Sequence, residues 1–204
     1  MANGNLYIVS APSGAGKTSL VKALIESTKN ILTSISHTTR PMRPGEVDGK
    51  DYHFVDKNNF LTMVKNGDFV EYAEVFENYY GTSSRWLDEQ LSQGIDIILE
   101  IDWQGAQQVK NLFPNSIGIF ILPPSRKTLI ERLHNRGQDS DEVIQRRTQD
   151  AITEMSHYHE FDYLIINDDF QTALLEFKSI INTPRLVMNR QKEKHASLIA
   201  QLLD

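Results

Sequence analysis

The stretch Leu6-Tyr7-Ile8-Val9-Ser10-Ala11-Pro12-Ser13-Gly14-Ala15-Gly16-Lys17-Thr18-Ser19-Leu20-Val21-Lys22-Ala23-Leu24-Ile25 decides the fold. Leu6 to Val9 is a short apolar run of strand formers, the pattern of a buried parallel strand. Leu20, Val21, Leu24 and Ile25 then recur at helical spacing. Between them, Ala11 to Thr18 follows the phosphate-loop pattern G-x-x-x-x-G-K-[ST], with Ala11 in place of the first glycine. Glycines let such a loop curl until successive N–H groups point at one anion, and the helix start adds partial positive charge. Lys17 can reach the outer phosphates of a nucleotide, and the Thr18 hydroxyl can join a Mg²⁺ shell. Gly-Lys-[Ser/Thr] alone arises by chance in roughly one chain in ten of this length. A strand before it and a helix after it make the match specific.

Outward from this unit, strand and helix alternate. Ile31 to Ser36 reads as a strand, Ile95 to Ile101 as a nearly continuous apolar one, Trp103 to Leu112 as a helix and Ser116 to Leu122 as a strand. Ser125 to Asn135 and Asp141 to His157 read as polar helices around Arg136-Gly137-Gln138-Asp139-Ser140. Tyr163 to Ile166 is a last short strand, followed by two helices, the last carrying Arg190 to His195. Alternation of this kind predicts an α/β fold of the P-loop NTPase type, a parallel sheet with helices on both faces. Residues 37–84 differ. Pro41, Pro44, Gly45, Gly49, Gly67 and Gly81 punctuate short strand-like pieces such as Asp68 to Tyr72, the mark of a small mixed insert.

Composition narrows the chemistry. With 204 residues, 40% of them hydrophobic, the chain can build one packed domain. It has no cysteine, which removes disulfides, thiolate zinc sites and thiol nucleophiles and suits a reducing compartment. Met1 to Asn5 carries no basic, apolar leader, and no run approaches the length of a membrane span, so a cytoplasmic protein is expected. A net charge of −6 argues against general affinity for nucleic acid. Cations for binding anions must then be concentrated locally, and six of the ten arginines stand at positions 40, 43, 132, 136, 146 and 147.

Four further segments narrow the choice among P-loop proteins: Ser36-His37-Thr38-Thr39-Arg40-Pro41-Met42-Arg43-Pro44-Gly45-Glu46, Gly49-Lys50-Asp51-Tyr52-His53-Phe54, Asn78-Tyr79-Tyr80-Gly81-Thr82 and Asp102-Trp103-Gln104-Gly105. Together they resemble guanylate kinases, bacterial ones above all, over nearly the whole chain. The resemblance implies transfer of a phosphoryl group from ATP to GMP with Mg²⁺, by a single domain over about residues 4–184. It implies a core (1–36, 85–124, 158–204), a GMP-binding insert (37–84) and a helical lid (125–157). Ala11, Pro12, Ser13, Gly14, Ala15, Gly16, Lys17 and Thr18 would hold ATP, with Thr18 on the metal and Asn167 near the adenine. Arg40, Arg43, Tyr52 and Tyr80 would clamp the GMP phosphate, and Ser36, Glu71, Thr82 and Asp102 would read the guanine edge. Lys17, Arg40 and the lid arginines Arg132, Arg136 and Arg147 would act on the transferring group.

The residue types suit those roles. Guanidinium forks bind phosphate at two points, and tyrosine hydroxyls add hydrogen bonds without further charge. Guanine offers an N1–H and an amine that a carboxylate accepts, and a buried carboxylate facing AMP would be left unpaired. Taken singly, Glu71 in an alternating strand could simply be exposed; the set carries the reading. Arg146, His157, His159 and the run 190–195 read as solvated surface, and Trp86 and Trp103 as packing. A GTPase would need an Asn-Lys-x-Asp element, which is absent, and a peptide-binding scaffold relative would have a degraded loop. The expected partners are ATP and GMP, not nucleic acid or membrane; a homo-oligomer is compatible with the reading.

Overall fold

Five apolar runs become the strands of one parallel sheet in the computed structural model, which describes residues 3–75, 77–134 and 141–204. These strands are β1 (Leu6–Ser10), β2 (Ile31–Thr33), β7 (Asp96–Glu100), β8 (Ile117–Leu122) and β9 (Tyr163–Ile166), in spatial order β2-β7-β1-β8-β9. The central strand β1 is buried along its whole length, and its side chains alternate between the two faces. Tyr7 and Val9 join a core with Leu20, Val21 and Leu24 of α1 (Lys17–Ser27) and Ala173, Phe177 and Ile181 of α7 (Phe170–Arg185). Leu6 and Ile8 join the opposite core with Leu87 of α3 (Ser84–Ser92) and Ala106 and Val109 of α4 (Trp103–Leu112). Helices therefore cover both faces, as the alternation requires.

The stretch after β2 leaves this sheet. Ile31 to Ser36 was expected to be one strand; the pairing with β7 stops at Thr33, and β3 (His37–Thr38) belongs to a second sheet. That sheet has the order β4-β3-β6-β5, with β4 (His53–Phe54), β5 (Phe69–Val75) and β6 (Asn78–Ser83). It also carries a helix the sequence reading did not assign, α2 (Lys57–Asn66). Asp56 caps α2 by accepting from the Asn59 N–H, and Gly67 ends it at φ 75°. Phe60 of α2 is fully buried and stacks on Phe69 and Tyr79, which fastens the helix to β5 and β6.

Helices α5 (Arg126–His134) and α6 (Asp141–Ser156) form a third, smaller cluster through Leu129, Leu133, Ala151 and Met155. At the carboxyl end, three helices stand where two were expected. The basic run lies mainly in α8 (Met188–Lys194), and His195 breaks it from α9 (Ala196–Leu203) by leaving helical geometry at ψ 21°. Among the described residues no helix is long and apolar enough to cross a membrane.

Candidate active site

The phosphate loop joins β1 to α1 with Gly14 at φ 90° and Gly16 at φ 91°, a region that side-chained residues avoid. Ala11 is not among the residues at positive φ, so the missing first glycine costs the loop no backbone strain. The back of the loop is held by the protein. Asn167 donates from Nδ2 to the Ala15 carbonyl at 2.7 Å, and Arg132 donates to the Ala15 and Asn167 carbonyls at 3.4 and 3.1 Å. A Cβ at Gly16 would lie 2.3 Å from Asn167 Nδ2, so the asparagine fills the space that glycine leaves. Lys17 is half-buried at the mouth. Burial pulls its ammonium below the usual lysine range, and Glu100, Glu154 and Asp102 oppose that pull.

A second cationic pocket is built on the smaller sheet. Arg40 forms a two-point pair with Glu46, NH1 to Oε2 at 3.1 Å and NH2 to Oε1 at 2.7 Å. Its guanidinium lies 5.3 Å from the ring of Tyr52, whose ring is 6.0 Å from that of Tyr80. The hydrogen bond to Glu46 raises the Arg40 pKa further, with Tyr80 adding to the effect. Arg43 is exposed and meets the cluster through its backbone N–H, which donates to Glu46 at 2.7 Å.

A pair of carboxylates, Glu71 and Asp102, converges at Gly105. Glu71 is 5% exposed and accepts from the Thr82 hydroxyl at 2.7 Å. Burial lifts its pKa to about 7, against the pull of that hydrogen bond and with help from the charge of Asp102. Asp102 caps α4 by accepting from the Gly105 N–H at 2.8 Å. Gly105 lets the two acids converge, since a Cβ there would lie 3.2 Å from Glu71 Oε2 and 3.4 Å from Asp102 Oδ1.

These pieces meet for a topological reason. Val9 of β1 pairs with Glu100 of β7, so the loops after both strands leave the same edge of the sheet side by side. One is the phosphate loop and the other leads to Asp102. Ligands in open parallel sheets bind at the carboxyl ends of the strands. Glu100, at that edge, acts electrostatically on Lys17 and, more weakly, on Tyr52.

The guanylate kinase family model matches residues 3–184. The chain belongs to the guanylate kinase family. A guanylate kinase of Saccharophagus degradans is 59% identical over 200 residues, covering 98% of both chains. One of Vibrio cholerae is 55% identical over 205 residues, covering all of this chain and 99% of its own. The crystal structure of guanylate kinase from Anaplasma phagocytophilum superposes with a TM-score of 0.75 at 34% identity, over 93% of this chain and 90% of that one.

Within this guanylate kinase fold, Arg40, Tyr52 and Tyr80 come together, as do Glu71, Thr82 and Asp102. Ser36 immediately precedes β3, and its carbonyl accepts from the His53 N–H at 2.9 Å. Arg147 sits on α6, and Arg136 lies outside the described residues. Asn167, expected near an adenine, is buried and spends its amide on the loop. Four residues with no role in the sequence reading also shape the cleft: Glu46, Glu100, Gly105 and Glu154. Glu46 and Gly105 stood inside quoted motifs, whereas Glu100 and Glu154 give no signal without the fold.

Proposed function

We propose that this guanylate kinase moves the γ-phosphoryl group of ATP onto a phosphate oxygen of GMP, giving ADP and GDP, in the single cleft between its two cationic pockets. The observation that carries the reading is the Val9–Glu100 register, which sets the phosphate loop beside the loop that bears Asp102. In this reading the loop amides and Lys17 hold the donor's phosphates, and Arg40, Arg43, Tyr52 and Tyr80 hold the acceptor's phosphate. Glu71 and Asp102 accept from the guanine N1–H and amine, with Thr82 and Ser36 at the same edge. A GMP phosphate oxygen is already anionic, so the protein's work is to align the two nucleotides, exclude water and offset spreading charge. No general base is needed.

Residues 37–84 act as the acceptor-binding part and 125–157 as the lid, whose Arg147, with Arg132 and Arg136, supports the transferring group. Arg132 and Asn167 also brace the donor loop from behind through Ala15. A Mg²⁺ fits the oxygen donors present: the exposed Thr18 hydroxyl in the first turn of α1 would hold it, with nucleotide phosphates and water completing the shell. When bound, the ion would supply positive charge that offsets the negative charge spreading over the transferring group. A coupled assay of ADP formation tests the whole reading. Turnover is expected with GMP and to be poor with AMP and UMP, and a folded sample without GMP-dependent turnover would sink it.

A further inference from the structure

Glu154 lies on α6, in the helical segment that also carries Arg147 seven residues earlier. Seven residues are nearly two full turns, so both positions fall on one face of the helix. The Glu154 carboxylate turns toward the donor loop rather than to solvent, and the Ser13 N–H donates to its Oε2 at 3.2 Å. Around it stand Lys17 of α1, which attracts it, and Asp102 and Asp150, which repel it. Elsewhere in the loop, Pro12 has no N–H and the Ala15 N–H is engaged by the Pro12 carbonyl at 3.1 Å. An anion from the lid helix thus sits against a loop built to hold anions. Glu46 occupies the Arg40 fork on the acceptor side in a parallel way.

We infer that Glu154 is a positioning residue that docks α6 on the donor-free phosphate loop and competes with the donor's phosphates for it, so that donor binding releases α6 to bring Arg147 onto the transferring group. The inference rests on the donor-binding reading of the loop. Two like charges at one cradle repel, and the nucleotide brings more charge and more acceptors than one carboxylate does. The release has a reporter inside the fold. His157, at the end of α6, stacks on Trp103 with ring centroids 3.6 Å apart and planes 6° from parallel. Movement of α6 must disturb that stack.

The full chain carrying Trp86→Phe leaves Trp103 as its single tryptophan, the chain having two. Adding ADP should change Trp103 emission, while GMP alone should change it much less. Glu154→Gln in this background removes the charge but keeps an acceptor for Ser13. It should lower the Kd for ADP about three- to tenfold, leave the Kd for GMP unchanged, and move donor-free emission toward the ADP-bound value. An ADP affinity that stays constant or weakens overturns the inference, as does emission that ignores the substitution. Should Glu154→Gln not fold, the ADP response of the unsubstituted chain decides alone, and no change in Trp103 emission refutes the release. Failure is separable from failure of the functional reading, because the unsubstituted enzyme would still turn over GMP.

Discussion

Glu71 is a carboxylate under opposing pulls, with burial and Asp102 raising its pKa to about 7 and the Thr82 hydroxyl holding it down. Between about pH 4.5 and 7 the folded chain keeps a proton that the unfolded chain releases. This group therefore makes the fold lose stability as pH rises, by about 3 kcal/mol across that window. Guanine requires the opposite state, since only the ionised acid accepts from both of its donors. The KM for GMP should rise about tenfold for each pH unit below 7 and level off above it, while the KM for ATP does not follow. GMP's own phosphate titrates near pH 6, so the comparison that isolates Glu71 is with Glu71→Gln. That variant should lose roughly a hundredfold in GMP efficiency and show a flatter profile. Steady-state kinetics from pH 5.5 to 8.5 checks both (an unchanged slope in the variant would assign the titration elsewhere).

At the scale of elements, the sequence was readable where burial imposes a period. Leu6 to Val9 and Trp103 to Leu112 are found as expected within a residue, because one is buried in the sheet and the other packs on it, and Tyr163 to Ile166 is found as an edge strand with Ile165 alone of its four residues buried. The small sheet was harder to read, since α2 is mostly exposed and anchored through Phe60 alone among fully buried residues, and its caps, Asp56 and Gly67, were hidden among other turn residues. The site divides in the same way. Arg40, Tyr80 and Asp102 lie in long motifs, but the carboxylate of Glu154 finds Ser13 across 141 positions, which no local pattern encodes. Helix α4 offers a test in which propensity and function oppose each other. Alanine is favoured over glycine inside a helix by about 1 kcal/mol, yet a Cβ at Gly105 would press on Glu71 Oε2 at 3.2 Å. Gly105→Ala should leave the urea midpoint equal or higher and raise the KM for GMP about three- to tenfold, with the KM for ATP unchanged. A parallel loss in both constants would argue that α4 itself had shifted.

Across the whole molecule, a segment near the start of the chain and one near its end are tied together at the opposite end of the sheet from the cleft. Asp96 opens β7 with its side chain 2% exposed, accepting from the Asn5 N–H at 2.6 Å and from Arg185 Nε at 2.7 Å. Arg185, at the end of α7, also donates to the Asn30 carbonyl at 3.1 Å, and Tyr7 donates from its hydroxyl to Ile181 of the same helix at 3.1 Å. One guanidinium therefore joins α7, the turn before β2 and the start of β7. Such a pair contributes little net energy compared with an apolar replacement, but removing one partner strands a buried charge. Arg185→Ala should cost about 3 kcal/mol and lower the melting temperature by roughly 6–12 °C. Salt should alter this loss little, because the pair is shielded from solvent ions. Exchanging both partners for apolar residues, Arg185→Leu with Asp96→Leu, should recover part of the loss, since the stranded carboxylate is gone although the Asn5 N–H loses its acceptor. The kcat of either variant at 25 °C should stay near that of the parent, because the tie lies at the opposite ends of β1 and β7 from Ser10 and Glu100. A single variant as stable as the parent in calorimetry would mean that Asp96 finds another partner, and α7 would then be held by its apolar face, Ala173, Phe177 and Ile181, and by the Tyr7 hydroxyl.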